Sequence, residues 1–509
     1  MGFEKIGLML DCSRNAVPRV ETLKTLIDLL AEMGYNRLEL YTEDTYEIKG
    51  RPYFGHLRGR YTGAELKEID AYAAQKGIEL TPCIQVLAHV NQIFRWPQFQ
   101  NVRDCGDILL VDEPETYKLI DDMLASLAEN FTSRNVNIGC DEAHMVGLGK
   151  FLDRFGFQDR FDIINRHIGK VLEIAAKYGF KCAMWSDMYF RLAFGGEYTN
   201  TEKPIPPEVL EKVPESVSLI YWDYYHTDPE HYRKMFAGHS RFGNDIEFAG
   251  GAWKWTGFVP DNRHGMRTYD AAVVAAREYG VKNVMLTAWG DNGAESSIFS
   301  ILPSMYHFAK LCGAGGDSSG FEEFLDLDKL NDFGATEKNP NADKYFLYND
   351  CFAGIMDAHI DGGEAAHYRE VARILKTRKD GEFSYIFDTA HALVEVLELK
   401  ADLGVRTRAA YRAGDKDALK KLADEYAEVI RRIEKFHDKF TAQWLRENKP
   451  FGLEVHDMRL GGLIKRIDAC RHRLFDKNIP ELDEDILPFG EPKKGYWYHH
   501  LLVVSTGIT

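Results

Sequence analysis

No CxxC pair, no GxGxxG or GxxxxGKS/T stretch and no dense lysine–arginine block occurs in the 509 residues. Without paired cysteines, a structural zinc site or thioredoxin-like motif has no ligands at the required spacing. Without the glycine-rich turns, the commonest nucleotide and dinucleotide cradles are excluded. A formal net charge of −16 with no basic cluster does not recruit a phosphate backbone, so nucleic acid is not an expected partner. Long apolar runs are also missing. The first run, IGLML (6–10), is closed at once by Asp11, too short for a signal peptide or a membrane span. Gly2 lacks the Ser or Thr that the myristoylation pattern requires. The eight cysteines are dispersed, several of them inside apolar strand-like runs, and are expected to be free, buried thiols. These absences suggest a complete, cytoplasmic chain with no membrane partner.

What is present is a soluble, globular composition, 45% hydrophobic and 28% charged, in a chain long enough for at least one large core. Short apolar runs alternate with amphipathic stretches up to about residue 312. The runs are IGLML (6–10), RLELY (37–41), IELTPCI (78–84), VNIG (136–139), KCAMW (181–185), VSLIYW (217–222), IEFAGGAW (246–253) and NVMLTAW (283–289). Helical patterns follow them at Pro18–Met33, Gly63–Gln75, Pro114–Asn130, Phe161–Tyr178, Pro229–Ala237, Thr268–Tyr279 and Ile298–Leu311, and long loops cover 85–112 and 196–214. Eight strand–helix units in series suit a closed (β/α)8 TIM barrel over 1–312 better than an open sheet. A Gly/Ser linker (313–320) leads to an all-α C-terminal domain (321–509), with helical patterns at Tyr368–Lys376, Asp388–Leu403, Arg406–Phe436 and His456–Phe475.

Active sites of such barrels lie at the C-terminal ends of the strands. Those ends read DCSR (11–14), YTED (41–44), IQVLAH (84–89), GCDEAH (139–144), MWSD (184–187), YWDYY (221–225), AWKW (252–255) and AWGDNGAE (288–295). Nearly every one carries a carboxylate, and four carry tryptophan: Trp185, Trp222, Trp253 with Trp255, and Trp289. Carboxylates suit sugar hydroxyls, and indole faces suit the apolar faces of pyranose rings. A single Trp is as often core as ligand wall; four at one edge favour a wall. The adjacent pair Asp141–Glu142 points in two directions on extended backbone, so the two acids can divide two jobs. Their crowding can push one pKa up, as a general acid requires. Alone, an Asp-Glu dipeptide is equally a helix cap beside a surface residue. His89 could orient a carboxylate, and so could His144, though a lone histidine is more often structural. His89, Glu142, Asp187 and Asp291 could in principle ligate a metal. No HxH or HExxH spacing occurs, so neither a metal nor a cofactor is expected.

Together these strand ends resemble glycoside hydrolase family 20, the β-hexosaminidases. The resemblance rests on LDCSR (10–14), IGCDE (138–142) and TAWGD (287–291), with Trp185 and Trp222 where the family places pocket tryptophans. It implies an exo-acting, retaining β-N-acetylhexosaminidase that removes terminal GlcNAc or GalNAc by substrate-assisted catalysis. The substrate's acetamido oxygen would be the nucleophile. Glu142 would protonate the leaving oxygen and then activate water, and Asp141 would hold the acetamido N–H and stabilise an oxazolinium-like charge. Arg14 and Asp291 would grip the hydroxyls of the terminal sugar. Trp185, Trp222 and Trp289 would wall the acetamido pocket, with His89, Asp187, Tyr224 and Trp253 as further binding residues. The chain departs from the family in three ways: no α/β domain precedes the first strand, Cys140 replaces a second glycine, and AWKWTGF (252–258) lacks the family's strand-seven tyrosine, for which Tyr224 or Tyr225 could substitute. The helical C-terminal domain marks a divergent branch and leaves a homodimer open. Two other classes stay in view: a metal-dependent sugar isomerase or epimerase, which needs clustered His and carboxylate ligands, and a sugar-binding protein without turnover.

Overall fold

The computed structural model describes residues 2–200, 203–315, 321–332, 341–354, 356–378 and 381–475. Eight parallel strands close on themselves in sequence order: β1 (Lys5–Asp11), β2 (Arg37–Tyr41), β3 (Glu79–Cys83), β4 (Asn135–Asn137), β5 (Lys181–Trp185), β6 (Val217–Trp222), β7 (Ile246–Gly251) and β8 (Asn283–Ala288). β1 pairs with β2 on one side (Leu8 with Leu38) and with β8 on the other (Leu8 with Leu286), which completes the barrel.

Alternation along each strand divides two apolar cores. Leu8 and Leu10 face the surrounding helices, while Met9 joins Tyr41, Cys83, Trp185, Ile220, Ala249 and Met285 in a separate interior cluster. Tyr224, Trp253, Trp255 and Trp289 belong to that same interior cluster. The residues that fill the barrel axis therefore run into the aromatic floor of its mouth.

Helices fall where sequence punctuation places them. α1 (Val20–Met33) stops at Gly34, whose φ is +85°, and α2 (Gly63–Gln75) starts at a Thr62–Glu65 capping box. α3 (Pro114–Asn130) begins with its proline. Short helices also form outside the expected patterns, among them α4 (Lys150–Phe155) and, after α5 (Arg160–Lys177), α6 (Asp187–Ala193). The turn α7 (Pro207–Leu210) interrupts the long loop before α8 (Pro229–Ser240), α9 (Asn262–Glu278) and α10 (Leu302–Cys312). The fourth strand is shorter than the expected 136–139, because Gly139 and Cys140 take left-handed conformations (φ +75° and +70°) that cannot continue a strand.

Beyond the barrel lie α11 (Ala342–Tyr348), α12 (Glu364–Leu375), α13 (Ser384–Lys400), α14 (Leu403–Arg412), α15 (Lys416–Glu447) and α16 (Leu453–Phe475). The single helix expected over Arg406–Phe436 is two. Gly414 (φ +66°) breaks it, and Asp415 caps the second helix by accepting a hydrogen bond from the Ala418 N–H (2.9 Å). Part of the expected linker (316–320) and everything after Phe475 lie outside the described residues.

The helical region has no core to itself: Phe258, Val259, Leu327, Phe436, Phe440 and Trp444 share one continuous hydrophobic cluster with the barrel's outer layer. Backbone bonds fasten the two, with the Arg19 N–H donating to Glu447 O (2.9 Å) and the Lys449 N–H to Val17 O (2.8 Å). All eight cysteines are free, and seven are buried. No helix among the described residues is long and apolar enough to cross a membrane.

Candidate active site

Asp141, at the end of the β4 segment, is buried and fixed from two sides. Gln85 Nε2 donates to its Oδ1 at 2.6 Å. His89 Nε2 lies 3.3 Å from its Oδ2, an ion pair whose N–H is not aligned for a hydrogen bond. Gln85 also donates to Tyr41 Oη at 3.1 Å, and its Oε1 accepts the Cys140 N–H, also at 3.1 Å. Gly139 is demanded by space as well as by φ, since a Cβ there would collide with Gln85 Oε1 and the Ile84 carbonyl. Burial alone would push the Asp141 carboxyl up. The charge of His89, the hydrogen bond from the Gln85 amide and the charge of Arg14 outweigh it and hold the group below the ordinary carboxylate range. Burial would lower His89, but the Asp141 charge pushes it up to about 9, so the ring is an imidazolium at neutral pH. Removing that cation raises the Asp141 pKa. His89→Gln is therefore expected to move the acid limb of the kcat/KM–pH profile upward by roughly one unit. Superimposable profiles for mutant and parent would contradict this.

Glu142 follows in a left-handed conformation, φ +51°, and its side chain is 41% exposed. His89 Nε2 lies 3.7 Å from its Oε2 and Arg191 Nη2 3.5 Å from its Oε1. Arg191 also donates through Nε to Asp187 Oδ2 at 2.9 Å, and that oxygen accepts the Glu142 N–H at 3.1 Å. Asp187 thus lies behind Glu142 and fixes its backbone. Its burial, followed by the like charge of Asp141, pushes its own pKa up to about 7.

Across the mouth, Arg14 is held among three acids. Its Nη1 sits 3.1 Å from Asp291 Oδ1 and 3.3 Å from Asp11 Oδ2, and its Nη2 3.9 Å from Glu43 Oε1. Its guanidinium lies 4.9 Å from the Trp289 ring centroid. Asp11 also accepts the Gly290 N–H (2.9 Å), which ties the β1 and β8 loops together.

Between these two groups lies a small cleft. Asp141 and Glu142 face Arg14 and Asp291 across it, and Trp185, Trp222, Trp289 and Tyr224 wall it. Tyr225 and Trp255 complete the wall. Trp289 Nε1 donates to Tyr224 Oη at 3.0 Å, and Trp185 Nε1 is buried with no hydrogen-bond partner among the described residues. Gly251 makes room for this wall, since a Cβ there would stand 2.7 Å from Trp255 and 2.8 Å from Tyr224.

Not every residue expected in the site reaches the cavity. Trp253 lies behind the wall, 5.1 Å from Trp255 between ring centroids, and donates to the Tyr224 carbonyl at 2.6 Å. Asp187 and His89 support the acid pair from outside the lining. His89 lines a neighbouring polar cavity that Arg14 also borders. Sequence reading missed Arg191, although it stands four residues after Asp187 on α6, the spacing of a helical ion pair. Gln85 and Glu43 lay within the strand-end strings and went unremarked.

Among the described residues, two groups of side chains carry metal-ligating atoms close together: His89–Asp141–Glu142 and Asp223–His226–His231. In the first, the carboxylates are matched by His89, Arg14 and Arg191. In the second, His226 and His231 stack face to face at 3.6 Å and 11°. His226 Nδ1 (2.8 Å) and His231 Nε2 (3.2 Å) both sit on Asp223 Oδ2, while Asp223 Oδ1 accepts the Tyr225 N–H (3.0 Å) and fixes the turn that presents Tyr224 and Tyr225.

Residues 3–205 match the family model for the glycosyl hydrolase family 20 catalytic domain, and residues 322–500 match that for the glycoside hydrolase 20C C-terminal domain. The chain belongs to glycoside hydrolase family 20. The first match contains the Asp141–Glu142 pair but stops before β6, so Trp222, Trp289 and Asp291 join the site by geometry. Hexosaminidase D of Homo sapiens is 23% identical over 312 residues, covering 57% of this chain and 61% of its own. A beta-hexosaminidase of Akkermansia muciniphila is 30% identical over 168 residues, covering 27% of this chain and 34% of its own. The chain thus spans less than two thirds of the length of these curated relatives. The solved beta-N-acetylhexosaminidase of Bacteroides fragilis aligns with a TM-score of 0.46 at 19% identity, over 64% of this chain and 68% of that one.

Proposed function

We propose that the protein is an exo-acting, retaining β-N-acetylhexosaminidase that removes terminal non-reducing GlcNAc or GalNAc through an oxazoline intermediate. The observation that carries this reading is the division of the mouth. A buried carboxylate kept ionised, Asp141, and a half-exposed one, Glu142, face an arginine–aspartate pair across an aromatic pocket.

The acetamido group fits the aromatic end. Its methyl group packs against Trp185, Trp222 and Trp289, its N–H donates to Asp141, and the Tyr224 hydroxyl takes the place of the absent strand-seven tyrosine. With the N–H held by an anion, the acetamido oxygen becomes the nucleophile at the anomeric carbon. An intramolecular nucleophile replaces a protein one through effective molarity. Glu142 gives its proton to the leaving oxygen as the glycosidic bond breaks, then takes one from the water that opens the oxazoline. Net retention follows from two inversions. Arg14 and Asp291 close the far end on the hydroxyls of the non-reducing sugar, which favours a terminal residue.

Charge-assisted hydrogen bonds are worth about 1.5–3 kcal/mol, so Arg14→Ala is expected to weaken inhibition by a monosaccharide product roughly tenfold or more. An unchanged inhibition constant would remove Arg14 from the pocket. The reading as a whole is tested by release of p-nitrophenol from β-GlcNAc, β-GalNAc and unacetylated β-glucoside conjugates. Turnover confined to the acetamido sugars supports it and names the sugar. Equal turnover of the glucoside would require a protein nucleophile.

A further inference from the structure

The turn after β8 is a strained segment of the mouth. Asn292, Gly293 and Ala294, directly after Asp291, all have positive φ (+52°, +134° and +55°). A non-glycine residue held in that region is strained, and persists only where its surroundings over-determine it.

Here the surroundings are the C-terminal helices. Arg459 on α16 donates through Nη1 to Asn292 O at 2.7 Å and lies 3.3 Å from Glu295 Oε1. His456, one turn earlier, donates from Nε2 to Gly293 O at 2.7 Å. Lys344 on α11 pairs with Glu295 at 2.6 Å and reaches Asn292 O at 3.4 Å. Glu295 and Lys344 are both fully buried, so none of this is a loose surface contact. Every one of these bonds joins the helical region to a turn whose first residue, Asp291, holds Arg14 at 3.1 Å.

We propose that Arg459, with His456 and Lys344, is a positioning residue for the Arg14–Asp291 grip, so that the helical region sets how tightly the terminal sugar's hydroxyls are held. The inference rests on the hexosaminidase reading for its kinetic form, but not for its structural form.

The test uses the full chain with Arg459→Met, Arg459→Lys and Gly293→Ala. The last strains the contact from the other side, since a Cβ there would stand 2.7 Å from Arg459 Nη1 and 3.0 Å from His456 Cε1. Arg459→Met and Gly293→Ala are expected to raise KM roughly fivefold or more with a smaller change in kcat. Both should also shrink the preference for the parent sugar over its 4-deoxy and 6-deoxy analogues, and Arg459→Lys should restore part of it. In an Asp291→Ala background Arg459→Met should add little, because both act on one interaction. Additive losses, or undiminished discrimination against the deoxy sugars, would overturn the proposal. Amide hydrogen exchange over 289–295 is measured in the same variants without substrate. Faster exchange confined to that segment is expected, and unchanged exchange contradicts the proposal. If the parent protein turns over no acetamido sugar, the hexosaminidase reading fails and the exchange result alone decides this one.

Discussion

Glu142→Gln is expected to lower kcat/KM by about 10²–10⁴-fold on substrates whose leaving group is a sugar or an alkyl alcohol, the usual range for loss of a general acid. On a dinitrophenyl glycoside, whose leaving group departs without a proton, the first step should be nearly unaffected, and the deficit should move to the hydrolysis of the intermediate. The asymmetry follows from placement. Glu142 is the half-exposed member of the pair, at the mouth where a leaving group exits, with its backbone N–H fixed by Asp187 and its carboxylate flanked by Arg191 and His89. Glutamine keeps the size and can keep a hydrogen bond, so sugar binding should survive. A uniform loss across all leaving groups would mean that Glu142 is not the proton donor.

Asp141→Asn should behave differently. Its carboxylate is largely buried and kept ionised. Its task in this account is electrostatic, opposite a positive charge that develops on the acetamido group. Removal of one such preorganised group typically costs about 10²–10³-fold in kcat. Because that charge develops whatever the leaving group, the loss should be as large on the dinitrophenyl glycoside as on a disaccharide. A wild-type rate would take Asp141 out of the mechanism. A loss that vanished with good leaving groups would exchange its role with that of Glu142. The two variants therefore separate two adjacent carboxylates by leaving-group dependence.

The barrel was legible because parallel strands buried on both faces read as short apolar runs, and three of them (37–41, 181–185 and 217–222) match the observed strands residue for residue. The acid pair was legible because barrels place chemistry at strand ends. What stayed hidden is of two kinds. Gly139 and Cys140 shorten β4 through backbone conformation, and a Cys in a left-handed position carries no signal in hydrophobic periodicity. Trp253 was assigned to the pocket as a strand-end tryptophan, but its positive φ of +51° goes with a place behind the wall, and Trp255, two residues on, lines the cavity instead. The helical region read as a separate unit because its helices are strongly amphipathic. Which surface their apolar faces cover is set by long-range contacts such as those of Phe258 with Phe436 and Phe440, which no local pattern encodes.

The most direct test of substrate assistance is the dependence of kcat/KM on the nucleophilicity of the acetamido oxygen, measured with p-nitrophenyl conjugates carrying acetamido, fluoroacetamido, difluoroacetamido and trifluoroacetamido groups. Each fluorine withdraws electron density from the carbonyl oxygen while changing its size little. A steep, monotonic fall in rate along the series is expected. A flat series would show that the acetamido oxygen does not attack, and would contradict the roles given to Asp141 and to the pocket around it.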